Sequence, residues 1–81
     1  MKKVIRFTAS WCAPCKALAS ILEEVKTDLP IEVVDIDENK ELAIQYRVRS
    51  VPTLILVDEN KELKRMTGVQ AKNLVESWLN D

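Results

Sequence analysis

The sequence predicts an α/β fold of order β-α-β-α-β-β-α, with a four-stranded mixed sheet flanked by three helices. Three observations carry this expectation. Short β-branched runs stand at residues 4–9, 31–36 and 54–57. Stretches between and after them place apolar residues at helical spacing, and a polar turn separates the third run from an alternating fourth. A helix joining the first two strands favours a parallel, right-handed crossover, whereas the last two strands close as an antiparallel hairpin. With 81 residues, 47% of them hydrophobic, one Gly and three Pro, the chain reads as a single domain over residues 1–81 with little loop.

The elements follow in order. Val4 to Ala9 is an apolar run with a β-branched start, read as a buried strand; its alternation sets Val4, Arg6 and Thr8 on one face and Ile5 and Phe7 on the other. From Pro14, the residues Leu18, Ile21, Leu22, Val25 and Leu29 recur at helical spacing, and Pro30 closes that helix. Residues 31–36 form the second strand. Asp37 then offers an N-cap oxygen for a helix to Tyr46, with Leu42, Ala43 and Tyr46 inward. Val51-Pro52 breaks the chain, because proline lacks an amide donor and the residue before it resists helix. Residues 54–57 resume as strand, residues 58–61 turn, and residues 62–67 return. Gly68 ends the hairpin, and Ala71, Leu74, Val75, Trp78 and Leu79 mark the inner face of a last helix.

Composition excludes several classes. Twelve basic and 13 acidic residues give a net charge of -1, so no electrostatic case exists for nucleic acid or anionic lipid. No run approaches a membrane span, and the apolar run behind Lys2 and Lys3 is too short for a signal-peptide core, so a cytoplasmic location is expected. Two cysteines are too few for a secreted disulfide framework. A closed zinc site is also disfavoured, since it needs four soft or imidazole ligands and the chain has two Cys and no His. Neither metal nor cofactor is expected.

The chemistry concentrates in Ser10-Trp11-Cys12-Ala13-Pro14-Cys15-Lys16. Two thiols separated by two residues can close into a disulfide within one turn. Cys12, just ahead of a helix, meets unpaired amides and the positive end of the dipole, which lower a thiol pKa from about 8.5 toward neutrality. Cys12 is therefore read as the attacking sulfur, and Cys15, one turn in and more buried, as the resolving one. Pro14 suits an early helical position because no amide hydrogen is needed there. Ala13 adds an uncharged methyl. Trp11 serves either as a flat apolar surface for a protein substrate or as a packing residue. Trp78 and Met66 read as packing, and Lys16 as a solvated charge.

With motif and element order together, the chain resembles the thioredoxin superfamily, in particular a minimal member without the usual N-terminal strand and helix. The matching segments are Phe7-Thr8-Ala9-Ser10-Trp11-Cys12-Ala13-Pro14-Cys15-Lys16, Val34-Asp35-Ile36-Asp37, Val51-Pro52-Thr53 and Gly68. The resemblance implies a thioredoxin-like fold, a cis Val51-Pro52 bond against the cysteines, and an extended substrate paired beside that proline as an added strand. It implies a docking surface of Trp11, Ala13, Pro14, Val51, Pro52, Thr67, Gly68 and Val69. Protein disulfides are the implied substrates, and a thioredoxin-reductase-type protein the implied electron donor, to a chain acting as a monomer. Four positions depart from the family pattern: Ala13 replaces Gly, Arg6 replaces a buried Asp, Val33 replaces the Lys that partners it, and Ser20 replaces a helix-kinking Pro. Arg6 and Val33 leave Cys15 without the usual proton-handling pair, and no substitute base is evident.

Two other functions compete with a protein-disulfide reductase. One is a glutathione-dependent, glutaredoxin-like redoxin, against which stands the absence of a Gly-Gly pair and following acid; the chain has only Thr67-Gly68-Val69-Gln70 there. The other is a non-catalytic binding subunit whose redox pair is incidental.

Overall fold

The computed structural model describes residues 1–81 and contains β1 (Lys2–Thr8), α1 (Ala13–Glu23), β2 (Ile31–Asp35), α2 (Lys40–Gln45), β3 (Thr53–Asp58), β4 (Lys61–Thr67) and α3 (Lys72–Asn80). The sheet runs in the order β2-β1-β3-β4. β1 lies parallel to β2, from Val4 opposite Ile31 to Thr8 opposite Asp35, and antiparallel to β3. β3 and β4 form the antiparallel hairpin. The predicted thioredoxin-like arrangement of four mixed strands and three helices is the one formed.

The two faces of the sheet carry separate cores. Ile5, Phe7, Ile55, Val57 and Val34 pack with Ala43 of α2 and with Tyr46, the C-cap of that helix, on one side. Val4, Leu54 and Leu56 pack with Leu18 of α1 and with Val75 and Leu79 of α3 on the other. β3 is covered on both faces, which is why residues 54–57 are apolar without alternation. Each buried Phe, Leu, Ile or Val contributes about 1.5–3 kcal/mol. Phe7 and Tyr46 add a tilted ring contact with centroids 6.1 Å apart.

Four expectations need correction. α1 stops at Glu23, where the Glu24 amide donates to the Ile21 carbonyl and the Val25 amide to the Leu22 carbonyl, well before Pro30. Val25 and Leu29 still pack on the core, from irregular chain rather than from helix. α2 is capped by Asn39, whose Oδ1 accepts the Leu42 amide at 3.2 Å, and Asp37 lies in the turn before it. Ala71 and Leu74, expected inward on α3, face solvent: Ala71 is the N-cap of that helix, and Leu74 is 51% exposed. Trp78 sits at the core's edge, half-buried, with the Lys64 ammonium 4.8 Å from its ring centroid.

The hairpin turn places Glu59 at φ 51° and Asn60 at φ 73°. Two successive left-handed residues are what a two-residue type I′ connection demands.

Candidate active site

α1 begins one residue beyond the first cysteine, so Cys12 is its N-cap, extended at φ -96° and ψ 106°. The first amides of a helix have no intrahelical partner. Here Cys12 Sγ accepts the Cys15 N–H at 3.2 Å, the place a serine or aspartate oxygen takes in an ordinary cap. Pro14 stands in the first turn without costing a hydrogen bond. Cys12 and Cys15 are joined as a disulfide with Cα atoms 5.3 Å apart. Cys15 is the deeper, at 1% exposed against 4% for Cys12, and Ala9 packs beside both.

The loop entering β3 faces this turn. The Val51-Pro52 bond is cis. Cys12 Sγ lies 3.7 Å from the Val51 carbonyl oxygen, a contact that becomes a weak hydrogen bond when the sulfur carries a proton. One residue on, the Pro52 carbonyl accepts the Gly68 amide at 2.8 Å. Gly68 has φ 82°, a left-handed conformation that glycine adopts without a Cβ penalty. Thr53 stands opposite Thr67 in the ladder, and the Thr53 hydroxyl donates to the Ser50 carbonyl at 2.8 Å. The Cys12 turn, the Val51-Pro52 loop and the end of β4 are therefore linked in series, Cys12 to Val51 and Pro52 to Gly68.

Around that point Ala13, Pro14, Trp11, Thr67 and Val69 are exposed, Val51 and Gly68 are half-buried, and Pro52 is buried. Trp11 is 68% exposed, so its ring is a surface feature and not a packing residue. Its indole Nε1 donates to Asp37 Oδ2 at 2.8 Å. Sequence reasoning missed this role for Asp37 by spending the carboxylate on a helix cap. A signal was present: the parallel pairing of β1 and β2 carries residues 35–37 alongside the exit of β1, and an indole N–H needs an acceptor.

Arg6 and Val33 are register partners across β1 and β2. Arg6 is half-buried with no carboxylate or hydrogen-bond acceptor against its guanidinium, and burial pushes its pKa down. Val33 is 54% exposed. Asp35 is occupied locally, its Oδ1 accepting the Asp37 and Glu38 amides. No three His, Cys, Asp or Glu side chains converge as a metal site would require.

A cysteine pair capping a helix, opposite a cis-proline at the end of a mixed sheet, is the equipment of a thiol-disulfide oxidoreductase. The protein-family model described as Thioredoxin matches residues 1–81. A thioredoxin of Rickettsia bellii is 35% identical over 82 aligned residues, covering 96% of this chain and 78% of that protein. A thioredoxin of Chlamydia trachomatis is 45% identical over 73 residues, covering 86% and 72%. Among solved structures, a single-site mutant of a thioredoxin from Halobacterium salinarum superposes with a TM-score of 0.88 at 32% identity, over 98% of this chain and 72% of that one. The chain belongs to the thioredoxin family, and it is a thiol-disulfide oxidoreductase.

Proposed function

We propose that this enzyme reduces protein disulfides, with Cys12 attacking and Cys15 resolving. The observation that carries the reading is the donation of the Cys15 amide to Cys12 Sγ, which favours negative charge on that sulfur once the disulfide is open. In the first step the Cys12 thiolate attacks one sulfur of the substrate disulfide. A Cys12–substrate bond forms, the substrate S–S bond breaks, and the second substrate sulfur leaves as thiolate. The Cys15 sulfur, deprotonated through water, then attacks Cys12 Sγ, expels the remaining substrate thiolate and closes the Cys12–Cys15 disulfide. Two electrons pass to the substrate, and solvent supplies its two protons.

Trp11, Ala13, Pro14, Val51, Pro52, Thr67, Gly68 and Val69 form the docking surface in this proposal. An extended substrate strand pairs with the backbone beside Pro52, and the exposed Trp11 ring covers its apolar side chains. A thioredoxin-reductase-type donor returns the two electrons, making the chain an electron carrier that needs no metal or cofactor. It works as a monomer in the cytoplasm, where the reducing poise keeps such a pair available as a dithiol; no helix is long and apolar enough to cross a membrane.

Insulin reduction tests the assignment. Cys12→Ser brings the rate to the uncatalysed background, and Cys15→Ser accumulates mixed disulfides with substrate proteins. Activity persists without glutathione. Full activity in Cys12→Ser, or a strict need for glutathione, would overturn the reading.

A further inference from the structure

A second concave site lies between the C-terminal end of α2 and β4, a cleft of about 660 Å³ that the redox chemistry does not use. Its wall is polar: Arg47, Arg49 and Arg65 stand in it with Glu62 and Asn60, and Tyr46 is its one hydrophobic residue. We propose that this cleft binds a small anion carrying two linked phosphates.

Three features point there. The first is an excess of unspent donors. Glu62 takes Arg65 in a fork, accepting Nε and Nη2 at 2.6 Å each, and the Tyr46 carbonyl accepts Nη2 at 2.7 Å. Those bonds use the Nε hydrogen and the Nη2 hydrogens, leaving both Nη1 hydrogens of Arg65 free. Arg47 and Arg49 make no ion pair or side-chain hydrogen bond, and the one carboxylate of the cleft is committed to Arg65. Two whole guanidinium forks and part of a third thus face the same space, and a fork matches the geometry of a phosphate.

The second feature is the backbone of Arg47. α2 ends in a Schellman closure, with the Val48 amide on the Ala43 carbonyl at 2.9 Å and the Arg47 amide on the Ile44 carbonyl at 3.0 Å. Arg47 occupies the left-handed position of that motif at φ 54°, where glycine avoids the contact of Cβ with the backbone. A glycine at this position would suit the fold better, yet the Schellman bonds hold an arginine there in the left-handed conformation, and its side chain has no partner inside the molecule. Strained residues of this kind concentrate where a side chain is aimed at a ligand.

The third is size and lining. The volume lies within the range of small-molecule sites. Tyr46 is 7% exposed, so the cleft offers no aromatic face on which a base could stack. Recognition is therefore of the phosphates themselves, and a diphosphate supplies two groups for the two free forks.

The test is calorimetric titration of the intact protein with inorganic pyrophosphate at low, fixed ionic strength. Saturable one-to-one binding is expected, with the dissociation constant raised at least tenfold in both Arg49→Ala and Arg47→Gly. Arg47→Gly also separates binding from folding, since it should melt several degrees above the parent while losing the ligand. Insulin reduction, which the cleft does not serve, should be unchanged in both variants. ADP, carrying the same diphosphate, should bind comparably. Absence of saturable pyrophosphate binding, undiminished binding in Arg47→Gly and Arg49→Ala, or tighter binding of a glutamate-rich peptide than of pyrophosphate would each overturn the proposal.

Discussion

The Gly68 amide reaches the Pro52 carbonyl over 2.8 Å, extending the β3–β4 pairing one step past Thr53 and Thr67. This bond holds the loop that faces Cys12. Gly68 makes it at φ 82°, and a Cβ built there would meet nothing within 4 Å. The cost of a side chain at 68 is therefore one of backbone conformation alone. Gly68→Ala should destabilise by about 1 kcal/mol, lowering the melting temperature by roughly 4–8 °C. Gly68→Asn should lose less, because asparagine tolerates the left-handed region. Equal stability of Gly68→Ala and the parent in urea would mean that residue 68 relaxes away from Pro52.

The Trp11–Asp37 hydrogen bond fixes an exposed ring beside the nucleophile without burying it. Asp37→Ala should free the indole, shift its fluorescence to the red on a Trp78→Phe background, and cost no more than about 1 kcal/mol. Substrate docking is the sharper readout. Reduction of a protein disulfide should slow severalfold through KM, while reduction of a small disulfide such as dithiodipyridine should not change. A parallel loss with both substrates would remove the docking role from the Trp11 ring.

How much of this was legible in the residues depended on whether local chemistry or tertiary contact made the choice. The element order was legible, because residues 54–57 are apolar throughout and are covered on both faces, while Val4, Ile5 and Phe7 divide between two cores as alternation requires. The end of α1 was not. Val25 and Leu29 keep helical spacing and remain packed after the helix has stopped, so periodicity alone overran the boundary. The start of α2 was decided by competition: Asp37 and Asn39 are both competent caps, and Asp37 is held by a tryptophan distant in sequence. At the site, the cysteine spacing named Cys12 and Cys15, and the Val51-Pro52 break was visible as a break. Its cis form followed from the family resemblance and not from the local residues, because the two isomers differ by only about 0.5–1 kcal/mol in local terms. The Arg47 cleft escaped altogether, since Arg65 lies on β4, distant in sequence from Arg47 and Arg49, and joins them only where its guanidinium reaches the Tyr46 carbonyl.

Arg6 tests what an unpaired cation costs on this sheet. Its guanidinium is half-buried between Val33 and the fully buried Leu54, with no anion beside it, and burial lowers its pKa. A cation in that setting gives up hydration without a partner in return, although its methylene stem packs usefully. Arg6→Met keeps the stem and removes the charge, so it should stabilise by about 1 kcal/mol in urea titration. Arg6→Ala removes both and should not stabilise. If Arg6→Met proved less stable than the parent, the guanidinium would have an acceptor in solution that stabilises the fold.

The Glu62–Arg65 fork gives the protein a specific acid sensitivity. Hydrogen bonding from Arg65 holds the Glu62 carboxyl below its ordinary value of 4.5. Folded Glu62 therefore binds its proton more weakly than unfolded Glu62, so the unfolded chain takes up more protons on acidification and stability falls with pH. The contribution is complete above about pH 4.5 and is lost as the pH drops through the folded value. Glu62 and Arg65 are each about one-third exposed, at 34% and 32%, so solvent screening limits the contribution to roughly 0.5 kcal/mol. Glu62→Gln should accordingly lower stability at pH 7 by about that amount and converge with the parent once the pH has fallen below the folded value of Glu62, where both side chains are neutral. The measurement is a pair of urea titrations at each pH, with the difference between proteins isolating Glu62 from the other carboxylates. A gap that stays constant as the pH falls from 7 until the folded Glu62 has taken up its proton would show that the Arg65 fork stabilises the fold through shape and not through charge.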